Sequence, residues 1–409
     1  MVPAVLAQAD QHVLSVDKRI LFTADLPTSH WKKLGLQWFV GKDMDYLTDE
    51  MLGVWPEEIQ AYKEASNELY ELYERAAQHI IDKRLWHRVG IPANAVRLIE
   101  HTWENRHQHV HLYGRFDLAG VIDGKPAKLI EFNADTATVM PETTVVQQEQ
   151  LKAANMAMDQ QFNQLDLYLS AQFRRLAERN PNKVPQILLS TLGHEEDNLN
   201  ADVIARAAVH AGFGVRHTPL EKVIFSPEDG IFVQVGRDDY LPFDFWFKLI
   251  PWEFIAFEEP ALMDILIKIV LNDLAVIVNP AYTMLFQSKG MMAILWELFP
   301  NHPLLLKTTV SAQDFRGEAY VQKVIFGREG ENINILDEHN RYMGFNKGDF
   351  GNFPSIFQAF EELPSDKNGE YYQAGIYWSG QPAALSFRRR DGYIIDTDSE
   401  FISHYILEA

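Results

Sequence analysis

Apolar and polar positions alternate most regularly at residues 113 to 138. Tyr113-Gly-Arg115-Phe116-Asp117-Leu118 and Lys128-Leu129-Ile130-Glu131-Phe132-Asn133-Ala134-Asp135 read as two strands joined through a turn at Asp123-Gly124. Side chains on a strand alternate faces, so Arg115 and Asp117 share one face, and Glu131, Asn133 and Asp135 share another. A two-residue loop would set Asp117 opposite Ile130 and turn it away from Glu131. The expectation is the odd register, from an odd loop or a bulge, in which Asp117 faces Glu131.

Helical spacing marks other elements. After Pro56-Glu-Glu, a favourable first turn, Tyr62, Leu69, Leu72, Tyr73, Ala76, Ile80 and Ile81 recur every few positions and predict a helix over 56–86. From Pro141 the chain runs to Asn180 without another proline or any glycine, which predicts one long helix over 141–178. Ile187–Ser190, Asp197–Ala211 and Gly214–His217 then read as strand, helix and strand, a β-α-β unit of an open sheet. Two more strands are expected within 231–249, a helix over 260–273 and a short buried strand at 275–280. A helix opens at Gln287-Ser-Lys289-Gly290, with Lys289 in its first turn, and ends near Phe299. Two strands flank the loop Gly327-Arg328-Glu329-Gly330. A further strand covers 356–363, and a hairpin over 371–388 turns at Ser379-Gly380. The first fifty residues show aromatic clusters at Trp31 and Trp38-Phe39 without a clear period.

Composition narrows the classes. With 409 residues and 47% hydrophobic content, the chain can bury a large core as a composite of two or three units. A formal charge of −20 excludes broad nucleic-acid or anionic-membrane surfaces, while leaving room for a local basic pocket. The absence of cysteine excludes disulfides and thiol nucleophiles and fits a cytoplasmic setting. The first ten residues lack a basic start and a long apolar run, so no secretory signal is expected. The apolar run 265–278 contains Lys268 and Asp273 and is too short to span a bilayer.

Candidate chemistry gathers on the 113–138 hairpin. Three carboxylates, an amide and an arginine are costly to bury without partners. Oxygen ligands at alternating positions suit a hard cation such as Mg²⁺, which usually arrives with phosphate; a solvated acidic hairpin is the plainer alternative. Thr136 and Thr138 precede the predicted helix at 141 and fit either an anion site or simple N-capping. His194-Glu195-Glu196-Asp197 lies at the C-terminal end of a sheet strand, where ligands collect, or merely starts a helix. Lys289 opposes the helix dipole, which a phosphate would explain, as would plain exposure. Gly327–Gly330 is a weak phosphate-loop signal, and Arg388-Arg-Arg390 is the densest basic cluster. His107, His109 and His111 alternate as on a strand face. They read either as a zinc site, though no cysteine helps, or as a half-exposed strand.

The ordered set resembles the synthetase domain of glutathionylspermidine synthase and its amidase-free relatives, which are ATP-grasp carbon–nitrogen ligases. The likeness rests on Tyr113–Asp117, Leu129–Thr136, Lys248-Leu-Ile-Pro-Trp-Glu253, Asn279-Pro280, Ser288-Lys289, Trp296–His302, Tyr320–Lys323 and Gly327–Gly330, and it covers residues 20 to 405. The resemblance implies an α/β (α+β) ATP-grasp fold in permuted order with an open-sheet substrate domain. It divides the chain into an N-terminal part with the metal-binding hairpin (about 1–140), the open-sheet part (141–280) and a nucleotide-binding part (281–409). It implies Asp117, Glu131 and Asn133 as ligands of Mg²⁺, in two ions, and Arg115 as the catalytic arginine on the transferring phosphoryl group. It implies Lys289, Lys323, Gly327, Arg328, Gly330, Gln358, Phe360, Gln373 and Arg388 on ATP. Asp135, Thr136, Thr138, Glu195 and Glu196 fall on the substrate side. Val324 and Ala137 depart from the family pattern, where proline is common. The implied reaction joins a glutathione- or peptide-like carboxylate to a polyamine-like amine through an acyl phosphate. A nucleotide-binding protein without ligase activity is the rival, and it would lack a second pocket beside the γ-phosphate.

Overall fold

The computed structural model describes residues 15–40 and 46–408. The first ten residues, on which the expectation about a secretory signal rests, lie outside the described residues. Four sheets organise the described residues. The largest has seven strands in the order Ile20–Phe22, Leu47–Val54, Glu400–Ile406, Pro382–Arg390, Tyr371–Trp378, Gly114–Ala119 and Lys128–Asn133. The hairpin at 113–138 therefore forms one edge of a sheet whose other members come from both ends of the chain.

The helix Pro56–Lys83 covers this sheet, packing on Tyr371–Trp378 and Pro382–Arg390. Its stripe Tyr62, Leu69, Leu72, Tyr73, Ala76 and Ile80 is buried, and each fully buried Leu or Ile contributes about 1.5–3 kcal/mol. Glu58 Oε2 accepts from the Trp55 backbone N–H at 2.9 Å and closes the first turn, with Pro56 pre-set behind it. Arg84, in the left-handed conformation, ends the helix.

A parallel sheet, ordered Val276–Val278, Phe245–Lys248, Gln186–Ser190 and Gly214–His217, carries the β-α-β unit. Its strands Val276–Val278, Phe245–Lys248 and Gln186–Ser190 are buried almost throughout, as parallel sheets require, whereas Gly214–His217, at one edge, is largely exposed. An antiparallel five-stranded sheet, ordered Thr308–Thr309, Ser355–Ala359, Tyr320–Val324, Ile333–Leu336 and Tyr342–Asn346, closes over the hairpin edge. A three-stranded antiparallel sheet, Val223–Ser226, Gly230–Gln234 and Tyr240–Phe243, completes the set. Among the described residues no helix is long and apolar enough to cross a membrane.

Three expectations need correction. The single helix over 141–178 is instead a π-turn Glu142–Val146, a helix Gln147–Ala153 and a helix Leu165–Arg179. Tertiary bonding breaks it: Asn163 bridges Ala384, Leu385 N–H donates to Phe162 O, and Phe162 N–H donates to His404 Nε2. The interval 231–249 carries three strands rather than two, because Pro242 sits on an edge strand and Asp244 separates it from the next. Residues 105–109 form turns, not a strand, so His107, His109 and His111 share no face.

Candidate active site

The hairpin register is the first fact of the site. Arg115 pairs with Asn133 and Asp117 with Glu131, while Leu118 pairs with Leu129, so Ile130 is the extra residue of a bulge. The loop between Ala119 and Lys128 holds an even number of residues, and the bulge supplies the odd offset. On the opposite face Phe116 and Phe132 stack at 3.8 Å and fix the same register, worth about 0.5–1.5 kcal/mol beyond burial.

This register makes one polar cluster. Arg115 Nε and Nη2 donate to the two oxygens of Asp117 at 2.6 and 3.0 Å, and its Nη1 donates to Thr138 O at 2.8 Å. Asn133 Nδ2 donates to Asp117 Oδ2 at 3.0 Å and to Glu131 Oε1 at 3.3 Å. Gly375 stands opposite Asp117, and a Cβ there would come within 3.0 Å of Arg115 Cδ. Glycine at that place lets the arginine lie flat across the strand. Burial raises Asp117 above the usual carboxylate range despite Arg115. Burial acts the same way on Glu131, yet Lys289 and Lys323 outweigh it and hold that group well below its ordinary value.

The two lysines arrive from different elements. Lys289 caps the helix Gly290–Leu298, one residue before the expected place in its first turn, and its Nζ meets Glu131 Oε2 at 3.0 Å and Gly327 O at 2.8 Å. Lys323, on Tyr320–Val324, donates to Gln358 Oε1 at 2.7 Å and to Ile130 O at 3.2 Å. Burial holds Lys323 down at about 8, with Glu131 raising it and Lys289 lowering it.

One cavity of about 200 Å³ opens over this cluster. Arg115, Asp117, Glu131, Asn133, Lys323 and Arg388 give it one polar wall. Ile130, Val321, Ile335, Leu306 and Phe360 give it an apolar one, the usual surroundings of a flat aromatic base. Gln358, Gln373, Thr136, Thr138 and Glu196 also line it, as do Arg328 and Gly330 from the loop above. Gly330 has φ +72°, and a Cβ there would meet Ile395 O at 2.7 Å. Arg328 is already engaged: Nη1 donates to Thr136 Oγ1 at 2.9 Å, and Nη2 donates to Glu253. Arg388 donates to the carbonyls of Asp396 and Ser399. Lys289 and Gly327 sit one layer behind the wall.

Two residues expected on the substrate side are elsewhere. Asp135 is fully buried and pairs with Lys248 at 3.0 Å, while Trp252 N–H donates to it at 2.9 Å. The alternation that placed it beside Glu131 ends with the strand at Asn133, so Asp135 turns into the interior. Glu195 is exposed on the first turn of the helix Glu195–His210 and does not line the cavity, whereas Glu196 does. The histidines do not form a zinc site: His111 is buried, and its Nε2 lies 2.7 Å from Ala134 O.

Sequence reasoning missed several contributors. Glu253 was noted only as part of a motif, yet it is buried and receives Arg328. Asn279 accepts from Leu112 N–H and donates to the carbonyls of Tyr113 and Asp135, pinning the hairpin to the parallel sheet. Gln287 Oε1 accepts from the N–H groups of Ala134 and Asp135. Tyr46 and Tyr393 line the cavity from segments without any local signal.

Residues 23–407 match the family described as glutathionylspermidine synthase preATP-grasp. The chain belongs to this family. Within the family's reach, a "Putative acid--amine ligase" of Haemophilus influenzae is 29% identical over 86% of this chain and 88% of its own length. The bifunctional glutathionylspermidine synthetase/amidase of Escherichia coli is 24% identical over 82% of this chain and 56% of its own. Trypanothione synthetase of Crithidia fasciculata is 24% identical over 80% of this chain and 52% of its own. The chain thus spans little more than half the length of these last two relatives. A glutathione synthetase-like effector from Globodera pallida shares the fold, with TM-score 0.52 at 11% identity over 88% of this chain and 90% of that one. The family and this likeness make the fold an α/β ATP-grasp, and the family with its ligase relatives makes the chain an ATP-grasp carboxylate–amine ligase.

Proposed function

We propose that this chain uses ATP to join a glutathione- or peptide-like carboxylate to a polyamine-like amine through an acyl phosphate. The observation that carries the reading is the convergence of Arg115, Asp117, Glu131, Asn133 and Lys323, brought by separate elements to one cavity wall, with Lys289 paired to Glu131 behind it.

The donor set fits Mg²⁺. Among the described residues no three acidic or histidine side chains gather as a metal cluster. Two carboxylates and an amide suit an ion that keeps water and phosphate oxygens as its other ligands. The Asn133 amide now turns its nitrogen to both carboxylates, and rotating it presents the oxygen instead. When bound, Mg²⁺ would neutralise charge on the phosphate oxygens. Lys289 and Lys323 bring positive charge to the same place, and Arg115 is held ready by Asp117 for the transferring phosphoryl group. The apolar wall with Gln358 and Phe360 takes the base. Thr136, Thr138 and Glu196 border the far side, where a carboxylate and a cationic amine would meet. The net charge of −20 would steer such an amine inward.

The cavity of about 200 Å³ is smaller than ordinary ligand pockets of roughly 300–1,000 Å³, so nucleotide entry moves the loop that carries Arg328 and Gly330. ADP and phosphate release from MgATP, with glutathione plus spermidine and then a panel of peptides and amines, tests the reading. Release that needs both an acid and an amine supports it. Tight ATP binding with no release for any pair would move the conclusion to a nucleotide-binding protein without ligase activity.

A further inference from the structure

A second cavity, of about 450 Å³, lies between the helices Pro56–Lys83 and Leu165–Arg179 and shares no lining residue with the first. Its size is that of an ordinary small-molecule pocket. The helices face it with matched pairs. Tyr70 and Glu74 are one turn apart on the first, and Gln172 and Arg175 lie on one face of the second. The tip of the hairpin at 371–390 and the turn at 104–111 close the remaining sides.

The inner wall is aromatic and neutral. Tyr70 and Trp378 stack at 3.5 Å, and His111 lies 6.0 Å from Trp378. Burial holds His111 down at about 4, so the ring is uncharged at neutral pH. Its Nε2 faces Ala134 O at 2.7 Å, which leaves Nδ1 to accept from the Tyr70 hydroxyl at 3.2 Å.

Two features call for a ligand. Gln172 is only 8% exposed, and its Oε1 has no hydrogen-bond partner while Nε2 donates to Ser379 O at 3.3 Å. A buried acceptor left unmet costs about 1–3 kcal/mol; Oε1 is closed off as the side chain stands, so a donor in the cavity restores that bond once the amide turns. The neighbouring Gly380, at φ +72°, has no Cβ; one would lie 1.6 Å from Gln172 Nε2 and displace the amide. The second feature is charge. Glu74 and Glu104 stand around the same space as Arg106 and Arg175, yet among the described residues none of the acids forms an ion pair with either arginine. Arg106 instead lies over the Trp103 ring at 4.7 Å. Opposite charges held apart around a cavity suit a molecule that carries both.

We propose that this cavity binds a small zwitterion of the amino-acid class with an apolar side chain. Its ammonium group meets Gln172 Oε1 and Glu74, its carboxylate meets Arg175 and Arg106, and its side chain lies against Tyr70 and Trp378. The site is independent of the ligase reading. It also adjoins the cleft through the chain: Trp378 follows Tyr377, whose hydroxyl donates to Thr138 O, and His111 holds the carbonyl next to Asn133.

The test is calorimetric titration of the full chain with L-phenylalanine, with phenethylamine, which lacks the carboxylate, and with 3-phenylpropionate, which lacks the ammonium. L-phenylalanine is expected to bind more tightly than about 1 mM, and each single-charge analogue about tenfold or more weaker. Arg175→Glu, at an exposed helix position, is expected to weaken L-phenylalanine about tenfold while ADP binding in the cleft stays unchanged. Gln172→Leu provides a second, buried variant. The proposal is overturned by no binding of L-phenylalanine, by equal binding of either analogue, by displacement with ADP, or by affinity that neither variant changes.

Discussion

Lys323 is the residue whose charge the surroundings contest most openly. Burial lowers it to about 8 from an ordinary 10.5, so it is mostly protonated at pH 7 and loses its charge as pH rises through 8. ADP affinity should therefore fall above pH 8, and Lys323→Arg, which stays charged, should flatten that profile; isothermal titration from pH 6.5 to 9.5 reads both. Glu131 bridges Asn133 and Lys289, so Glu131→Gln should abolish ATP-dependent turnover, measured at a temperature where the variant is folded, because leaving Lys289 and Lys323 without their counter-charge should also lower the unfolding midpoint. Full activity in that variant would remove the metal assignment. At this scale alternation made Arg115, Asp117, Glu131 and Asn133 legible, because strand geometry alone puts them on facing surfaces. Asp135 was misplaced by extending the same alternation past the last paired residue. The partners of Glu253, Gly375 and Gln287 could not be read locally, since they lie 75 residues away for Glu253 and more than a hundred for the other two.

Arg328 ties the loop over the cleft to Glu253 and Thr136, beside the bond from Lys289 to Gly327 O. A hydrogen bond to a charged group contributes about 1.5–3 kcal/mol, so Glu253→Gln should speed amide exchange in residues 325–332 roughly tenfold or more. Unchanged exchange there would show that the loop is held by its other contacts. Beneath it, Asp135 and Lys248 form a fully buried pair that ties the hairpin end to the parallel sheet. Lys248→Met leaves a carboxylate unpaired in the interior and should cost about 3–5 kcal/mol in urea unfolding. Elements with strong local periodicity, such as Pro56–Lys83, were legible almost to the residue. The helix expected over 141–178 was not, because the groups that interrupt it, Ala384 and His404, belong to the far end of the sequence.

Across the whole molecule, burial keeps several imidazoles neutral. It holds His109 and His111 at about 4 and His404 at about 3, against an ordinary 6.5. The unfolded chain takes up these protons first, so stability is full above pH 6.5 and is lost as pH falls towards 4. For His111 the difference, 6.5 minus 4, corresponds to roughly 3 kcal/mol. Urea midpoints should drop steeply between pH 6.5 and 4, and a pH-independent midpoint over that range would contradict the buried neutral rings. The bulge at Ile130 matters for engineering as well. Because it, and not the connection Gly120–Ala127, sets which residues face each other, the exposed tip at Gly124–Pro126 does not set the register of the cavity wall. A reporter peptide could be spliced in there, or the chain opened to make new termini, without shifting a single side chain of the site by one position.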